Sequence, residues 1–240
     1  GSLAHLDPPP LTASIVADLI CAGLNNNLLA EELSPSLSKL ERYVCEWFVQ
    51  RLGMPLGSGG VAASGGTLSN LMALVVARNA AGLQQDSKAV VLTSADAHVS
   101  LDKAIRVMGL ANDSLQKIPI DSQGQISIEL LNQKILEIKR EGRNCLAIVA
   151  TAGTTVRGAV DPLKELSGIS QREGIWLHID AAIGGVFALS QSTNDLVQGI
   201  SLADSITLNP QKLLGISKTS SLLLVANLST LEATFSTGLP

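Results

Sequence analysis

The amino-acid sequence predicts an α/β fold with a mostly parallel, doubly wound β-sheet that helices cover on both faces. The first observation is that segments with strand and helix periodicity alternate from about residue 58 to residue 226. The second is that residues 145–150 form a continuous apolar run, as parallel strands buried on both faces do. The third is composition: 46% of the residues are hydrophobic and only 16% are charged, which suits a sheet with two covered faces.

Composition also narrows the classes of function. The formal net charge is −4, there is no basic block, and aromatic residues make up only 2%, which argues against nucleic-acid binding. No apolar run approaches the roughly 20 residues of a membrane-spanning helix. The cysteines at positions 21, 45 and 145 lie far apart and lack metal-ligand spacing. We therefore expect a cytoplasmic protein with reduced thiols, no metal site and no membrane partner.

Residues 1–57 are predicted to form an N-terminal helical segment. Three prolines at positions 8–10 give an extended entry, and apolar spacing then predicts a helix over about 13–24. A second helix is expected to begin after Ser34-Pro35 and to end near Gly53. These patterns alone indicate helix packing and no chemistry.

The sequence Gly65-Gly66-Thr67 leads into a helix predicted over about 67–81. Small residues at a helix start leave backbone N–H groups approachable, and the helix dipole favours an anion there. The segment fits a phosphate cradle centred on Gly66 and Thr67. An ordinary turn is the alternative, because Gly-Gly pairs are common in turns.

Two further polar loops follow predicted strands. His98 comes after a strand candidate at 88–93 and before a helix over about 101–109. An imidazole there can stack on a flat ring or handle a proton, and a loop or capping histidine is the alternative. Thr155 follows the apolar run at 145–150, where hydroxyls suit a polar ligand or an ordinary turn. The remaining elements expected in this region are a strand over 115–120 and helices over 128–140 and 162–172.

Asp180 ends an apolar strand predicted over 175–180. An acidic residue there is costly unless it is paired, and a protonated pyridine nitrogen is a suitable partner. Small residues that follow, including Ala182, leave space beside such a ring. A helix cap or a structural ion pair is the alternative function for this carboxylate.

Lys212 comes after a strand predicted over 201–208 and the sequence Asn209-Pro210-Gln211. A lone lysine is usually solvated, so its significance depends on the residues upstream. The loop at Gly66, His98, Thr155, Asp180 and Lys212 each follow a strand in chain order. Since ligands of open α/β sheets bind at the carboxyl ends of the strands, these features predict one shared site. A last strand is expected over 222–226, and the pattern after residue 227 predicts no clear helix.

Five segments together resemble the group II pyridoxal-phosphate-dependent amino-acid decarboxylases, which include aromatic-amino-acid, glutamate, cysteine-sulfinate and diaminobutyrate decarboxylases. The segments are SGGTLSNL (64–71), AH (97–98), ATAGTT (150–155), HIDAA (178–182) and NPQK (209–212). The resemblance implies the aspartate-aminotransferase-like fold (fold type I), pyridoxal 5'-phosphate as cofactor, and conversion of an L-amino acid to its amine and CO₂. It also implies a homodimer with shared active sites. Residues 1–57 would then contribute to the dimer interface, and residues 58–240 would form an incomplete large domain without the C-terminal domain.

The resemblance also implies roles for individual residues. Lys212 resembles the Schiff-base lysine, and Asp180 resembles the partner of the pyridine nitrogen, with Ala182 against the ring. His98 resembles the histidine that stacks on the ring face. Gly66, Thr67 and Asn209 resemble the positions that hold the phosphate. Thr155 resembles the hydroxyl near the cofactor ring.

Two features depart from the family pattern or fit it loosely. The family usually has histidine before the lysine, whereas this chain has Gln211, which cannot change charge near neutral pH. Asn27 and Leu29 fall where the family lines the substrate pocket of the neighbouring subunit. Another fold type I lyase, and a catalytically impaired scaffold that binds the cofactor, remain as alternatives to a decarboxylase.

Overall fold

The computed structural model describes residues 8–28 and 30–236. Within these residues seven strands form one sheet in the order β1-β7-β6-β5-β4-β2-β3. The strands are β1 (Gly59–Ala63), β2 (Val90–Ser94), β3 (Leu115–Ile118), β4 (Cys145–Thr151), β5 (Trp176–Asp180), β6 (Ser205–Leu208) and β7 (Ser221–Val225). Strand β7 is antiparallel to both neighbours and the other pairs are parallel, which confirms the predicted fold class.

The helices separate the strands along the chain, as the alternating pattern predicts. They are α1 (Thr12–Leu24), α2 (Pro35–Arg51), α3 (Gly66–Ala80), α4 (Ser100–Val107), α5 (Ile128–Arg140), α6 (Leu163–Glu173), α7 (Pro210–Leu213) and α8 (Leu228–Phe235). None of the helices in the described part of the chain combines the length and the apolar character needed to cross a bilayer.

Alternate residues along the strands pack against helices on opposite faces of the sheet. On β2, Val90 and Leu92 belong to one hydrophobic cluster, whereas Val91 belongs to another. Helices α2, α5 and α6 close the first cluster, and α3 and α4 close the second. Helix α8 packs with α3 over β7. Burial on both faces explains why β4 begins with the continuous apolar run at 145–150.

Two stretches differ from the sequence-based expectations. The strand expected over 201–208 begins only at Ser205, because Ile200–Leu202 forms a short 3₁₀ turn after Gly199, whose φ is 96°. Helix α8 was not indicated by the sequence pattern. It forms because Asn227 Oδ1 accepts a hydrogen bond from the Ser229 N–H at 3.1 Å, and because Leu231 is buried.

The N-terminal helix α1 lies on the surface next to the segment that follows Lys212. None of its residues is buried, and Leu19 is 73% exposed. Backbone bonding ties it down, since the Leu11 N–H donates to the Gly215 carbonyl at 2.8 Å. Ser14 Oγ also accepts from the Ser217 N–H at 2.8 Å.

The topology brings the loops that contain the predicted site residues to one edge of the sheet. Because β7 runs antiparallel to both β1 and β6, strand β1 points the same way as β6 and the parallel strands. The carboxyl ends of β1, β2, β4, β5 and β6 therefore lie at a common edge, and the loops that follow them meet there.

Candidate functional site

A cleft of about 530 Å³ opens at this edge of the sheet. All eight cofactor-site residues predicted from the sequence line it: Gly66, Thr67, His98, Thr155, Asp180, Ala182, Asn209 and Lys212. The predicted substrate residue Asn27 is exposed and does not line the cleft within this chain. Leu29 lies outside the described residues.

The loop between β1 and α3 presents backbone N–H donors to the cleft. Gly65 has φ 153°, a conformation that side chains disfavour, and within the described chain no side chain caps this end of α3. The Leu68 and Ser69 N–H groups bond back to the Gly65 carbonyl. The N–H groups of Gly66 and Thr67 lack helical acceptors, so a helix of 15 residues directs its positive end at the cleft.

Asn209 is held against this loop from the other side. Its Oδ1 accepts a hydrogen bond from Ser221 Oγ at 2.6 Å, and Ser221 Oγ lies 2.8 Å from Ser69 Oγ. This arrangement turns Asn209 Nδ2 toward Gly66, where a Cβ would lie only 2.8 Å from that nitrogen. A glycine is therefore required for the loop to approach the amide so closely. The amide adds one more donor to the anion cradle.

Asp180 supplies the opposite charge at the inner part of the cleft. It is 6% exposed, and its Oδ2 accepts from Asn70 Nδ2 at 2.8 Å. Its Oδ1 accepts from the Ala182 N–H at 3.2 Å. No salt bridge to this carboxylate forms among the described residues. Since a buried carboxylate without a cationic partner is costly, a ligand that carries a cation suits this position.

The sequence prediction missed Asn70, which joins Asp180 to the fully buried His178. His178 Nε2 lies 3.1 Å from Asn70 Oδ1, and its Nδ1 lies 2.9 Å from Ser205 Oγ. Burial lowers the pKa of His178 to about 4, although the Asp180 carboxylate opposes the shift. A signal was available in the sequence. Asn70 shares a helix face with apolar residues at i+3, i+4 and i+7, and a polar residue in such a stripe indicates a buried polar partner.

His98 bonds to the start of α4 and also borders the cleft. It is exposed and lines the cleft, and its Nδ1 accepts a hydrogen bond from the Ser100 N–H at 3.2 Å at the start of α4. A neutral ring with Nδ1 as acceptor carries its proton on Nε2. The nitrogen without a backbone partner is therefore the one available to a ligand.

Lys212 and Gln211 lie in the short helix α7 after β6. Both are partly buried, and Lys212 forms no salt bridge within the described residues. Gln211 Oε1 accepts from the Ser220 N–H at 2.7 Å, which ties the helix to the entry of β7. The amide thus has a structural partner at the position where a titratable side chain is usual in the resembling family.

The residues of the cleft fit a flat ligand with an anionic group at one end and a cationic ring nitrogen at the other. Donors from the Gly66 loop suit the anion, and Asp180 suits the cation. Thr151, which also lines the cleft, has a buried hydroxyl oxygen without a hydrogen-bond partner among the described residues. A buried hydroxyl in that condition is costly, and a polar ligand would satisfy it.

Comparison with known proteins agrees with this fit. Residues 9–238 match the family model described as the pyridoxal-dependent decarboxylase conserved domain. L-2,4-diaminobutyrate decarboxylase of Acinetobacter baumannii is 34% identical over 231 residues, which cover 88% of this chain and 45% of that protein. A glutamate decarboxylase-like protein of Gibberella zeae is 36% identical over 239 residues, covering 96% and 46%.

Solved structures give the same result. Mouse CSAD superposes with a TM-score of 0.92 at 31% identity and covers 98% of this chain and 50% of its own. The glutamate decarboxylase domain of a diaminobutyrate-pyruvate transaminase and L-2,4-diaminobutyrate decarboxylase from Vibrio parahaemolyticus gives 0.91 at 28% identity, covering 96% and 53%. The chain spans about half the length of the curated relatives it matches.

Proposed function

We propose that this chain, which belongs to the pyridoxal-dependent decarboxylase family, binds pyridoxal phosphate. We also propose that the full-length protein converts an L-amino acid to its amine and CO₂. The observation that carries the proposal is the arrangement of the cleft. Three features line the same space: a buried carboxylate, a helix N-terminus whose first N–H groups point at the cleft, and a lysine. Among the described residues the carboxylate and the lysine form no salt bridge. The names of the relatives support decarboxylation as the reaction.

Each cleft residue then has a task that follows from its chemistry. Bound pyridoxal phosphate would supply a protonated ring as the electron sink for decarboxylation. The Gly66 and Thr67 N–H groups and Asn209 Nδ2 would hold the phosphate. Asp180 would keep a proton on the ring nitrogen, and the small side chain of Ala182 would leave room for the ring.

Residues in the exposed part of the cleft would contact the substrate and the reactive end of the cofactor. Lys212 Nζ would provide the primary amine that holds the cofactor covalently. His98 presents a nitrogen that can hold a proton near the ring face, and the Thr155 hydroxyl adds a polar contact. These assignments follow from placement in the cleft and from the family resemblance.

A cofactor-binding scaffold with impaired catalysis is the second candidate, and Gln211 favours it. Its amide cannot titrate near pH 7, and its oxygen is engaged by the Ser220 N–H. Such a scaffold would bind pyridoxal phosphate but release no CO₂. The full-length protein, assayed with a panel of acidic, basic and aromatic amino acids, separates the two candidates.

We propose that the protein is a homodimer and that residues 1–57 contribute to the interface, with residues 58–240 as the cofactor-binding domain. Helix α1 supports this, because Ile15, Leu19 and Ile20 are each more than half exposed. Covering them would bury apolar surface and bring the segment of Asn27 near a partner. Sedimentation of the full-length protein tests the assignment, and Leu19→Glu should weaken the dimer whereas Lys134→Ala should not.

We propose a cytoplasmic location. The three cysteines of the described residues are free. Burial raises the pKa of Cys45 to about 12 and that of Cys145 to about 11, so both stay protonated thiols at neutral pH. Thiols of this kind suit a reducing compartment. Fractionation of the source cells, followed by detection of the full-length protein, would test the location.

The cofactor assignment is tested by trapping. Full-length protein is incubated with pyridoxal phosphate and reduced with borohydride, and the modified peptide is identified by mass spectrometry. We expect a single modified lysine at Lys212 and loss of the visible absorbance band. Modification of Lys103 or Lys218 instead, both of which also line the cleft, would contradict the assignment.

A further inference from the structure

A continuous chain of hydrogen bonds runs from the partly buried Trp176 through the core to Asp180. Trp176 Nε1 donates to Ser205 Oγ at 2.8 Å, and Ser205 Oγ lies 2.9 Å from His178 Nδ1. His178 Nε2 lies 3.1 Å from Asn70 Oδ1. Asn70 Nδ2 then donates to Asp180 Oδ2 at 2.8 Å. Every link is within ordinary hydrogen-bond distance.

The order of donors and acceptors in these hydrogen bonds follows from the acceptor at one end. The carboxylate of Asp180 only accepts, so the amide nitrogen of Asn70 must face it and the amide oxygen must face His178. The second proton on Asn70 Nδ2 goes to Ser100 Oγ at 2.9 Å, which is compatible with this amide orientation. His178 Nε2 must therefore carry a proton.

The donor at the opposite end, Trp176, gives the same order of donors and acceptors. The indole of Trp176 only donates, so Ser205 Oγ accepts from it and can give its own proton to His178 Nδ1. His178 then accepts at Nδ1 and donates at Nε2, which is one defined neutral tautomer. Thr207 Oγ1 lies 3.4 Å from Nε2 and is a weaker second neighbour. Within the described residues, Asp180 is the charged group whose field acts on His178.

We propose that Asn70 and His178 are positioning residues, and that His178, as the neutral Nε2–H tautomer, orients the Asn70 amide so that Asp180 faces the ring nitrogen of the cofactor. This role rests on the proposed function of the cleft. Neither residue is assigned to contact the reacting atoms. They act through Asp180, whose second oxygen is fixed by the Ala182 N–H.

The low basicity of His178 supports the same order of donors and acceptors. Burial favours the uncharged ring, as the lowered pKa indicates. A charged ring would place a proton on Nδ1, and Ser205 would have to find another acceptor for its hydroxyl proton. A neutral histidine with both nitrogens bonded is a rigid element, and this rigidity is what a positioning residue needs.

A purely structural role is the competing explanation, and matched variants separate the two. Asn70→Asp keeps the size of the side chain but replaces the donor toward Asp180 with an acceptor. His178→Gln keeps a donor for Asn70 Oδ1, whereas His178→Leu removes it. Thr93→Val is the control, because it removes another buried hydrogen bond, from Thr93 Oγ1 to the Val149 carbonyl at 2.9 Å, away from the cleft.

The first measurement uses the full-length protein without cofactor. Nitrogen-15 NMR of labelled histidines should show His178 with a proton on Nε2 and a bare Nδ1 from about pH 5 to pH 8. A charged His178 in this range, or a proton on Nδ1, would overturn the inference. Because no cofactor is present, this result does not depend on whether the proposed function is correct.

The second measurement is the dissociation constant for pyridoxal phosphate and the pH midpoint of its visible absorbance band. Asn70→Asp and His178→Leu should weaken binding by about tenfold or more and shift that midpoint. His178→Gln should recover most of the loss, and Thr93→Val should leave both values unchanged. Equal loss in His178→Gln and His178→Leu, or an unshifted midpoint in Asn70→Asp, would refute positioning. Wild-type protein that fails to bind the cofactor would refute the proposed function instead.

Discussion

The cleft has a floor and a rim that differ in how they are held. The floor, which we define as Asn70, His178 and Asp180, is buried, and each polar side chain in it has a protein partner. The rim, which we define as His98, Thr155, Gln211 and Lys212, is exposed or half-buried and has few side-chain partners.

This difference separates two kinds of specificity. The floor is a buried polar cluster, so its geometry is fixed by folding and is ready before any ligand binds. The rim lies on loops and a short helix, where a ligand or a partner chain can still influence the side chains. Changes in the floor should therefore alter stability and cofactor binding together, whereas changes in the rim should alter turnover with little effect on stability.

The largest expected effect is at the rim and tests this separation directly. Lys212→Ala should lower the rate of CO₂ release by the full-length protein on the order of 10³-fold or more, because the bonding amine is lost. Its free energy of unfolding should stay within about 0.5 kcal/mol of wild type, since the side chain is only partly buried. Lys134→Ala on α5 is the control and should change neither value. A large loss of stability in Lys212→Ala would show that the rim belongs to the core.

The second prediction concerns the floor and the dependence of stability on pH. The pKa of His178 is lowered to about 4 in the folded protein from its ordinary 6.5, because burial disfavours the charged ring. Between these values the unfolded chain binds more protons, so the free energy of unfolding falls as the pH drops from 6.5 to about 4. At 1.36 kcal/mol per pKa unit the contribution is about 3 kcal/mol.

Other buried groups act in the opposite direction, so this prediction needs a difference measurement. Burial raises the pKa of Asp161 and of Asp204, and such carboxyls make the folded protein relatively more stable as the pH falls. Urea unfolding of wild type and His178→Gln across the same pH range isolates the histidine. The difference between the two proteins should shrink toward low pH. A constant difference would mean that folding does not lower the pKa of His178.

The contrast between floor and rim also explains what the sequence could predict. The rim residues and Asp180 follow strands in chain order, so strand periodicity alone placed them at one edge of the sheet. The floor was recognised only in part. The apolar stripe around Asn70 indicates a buried polar partner, but Asp180 lies 110 positions away, and no local pattern identifies it as that partner. Helix α8 was missed for a related reason, because the buried contact of Leu231 completes it.

The third prediction concerns the anion cradle, which belongs to neither the floor nor the rim. Gly66→Ala would place a methyl group 2.8 Å from Asn209 Nδ2, so Asn209 must move and its amide donor is displaced. We expect binding of pyridoxal phosphate to weaken by about tenfold, the value of one hydrogen bond to a charged group. Gly168→Ala is the matched control, because its Cβ would meet nothing within 4 Å and alanine is the better helix former. Equal affinities for the two variants would show that the loop does not hold the phosphate.

The smallest expected effect is at Gln211, which belongs to the rim. Gln211→His should raise kcat for CO₂ release severalfold, because an imidazole can exchange a proton near neutral pH and an amide cannot. The affinity for pyridoxal phosphate should change little, since the carboxylate and the cradle are untouched. Gln211→Asn is the control: its shorter amide loses the Ser220 N–H without gaining a proton function, so kcat should not rise. If Gln211→His binds the cofactor normally and still shows no gain, the cleft acts as a binding scaffold, and the order already present in its floor is sufficient for that role.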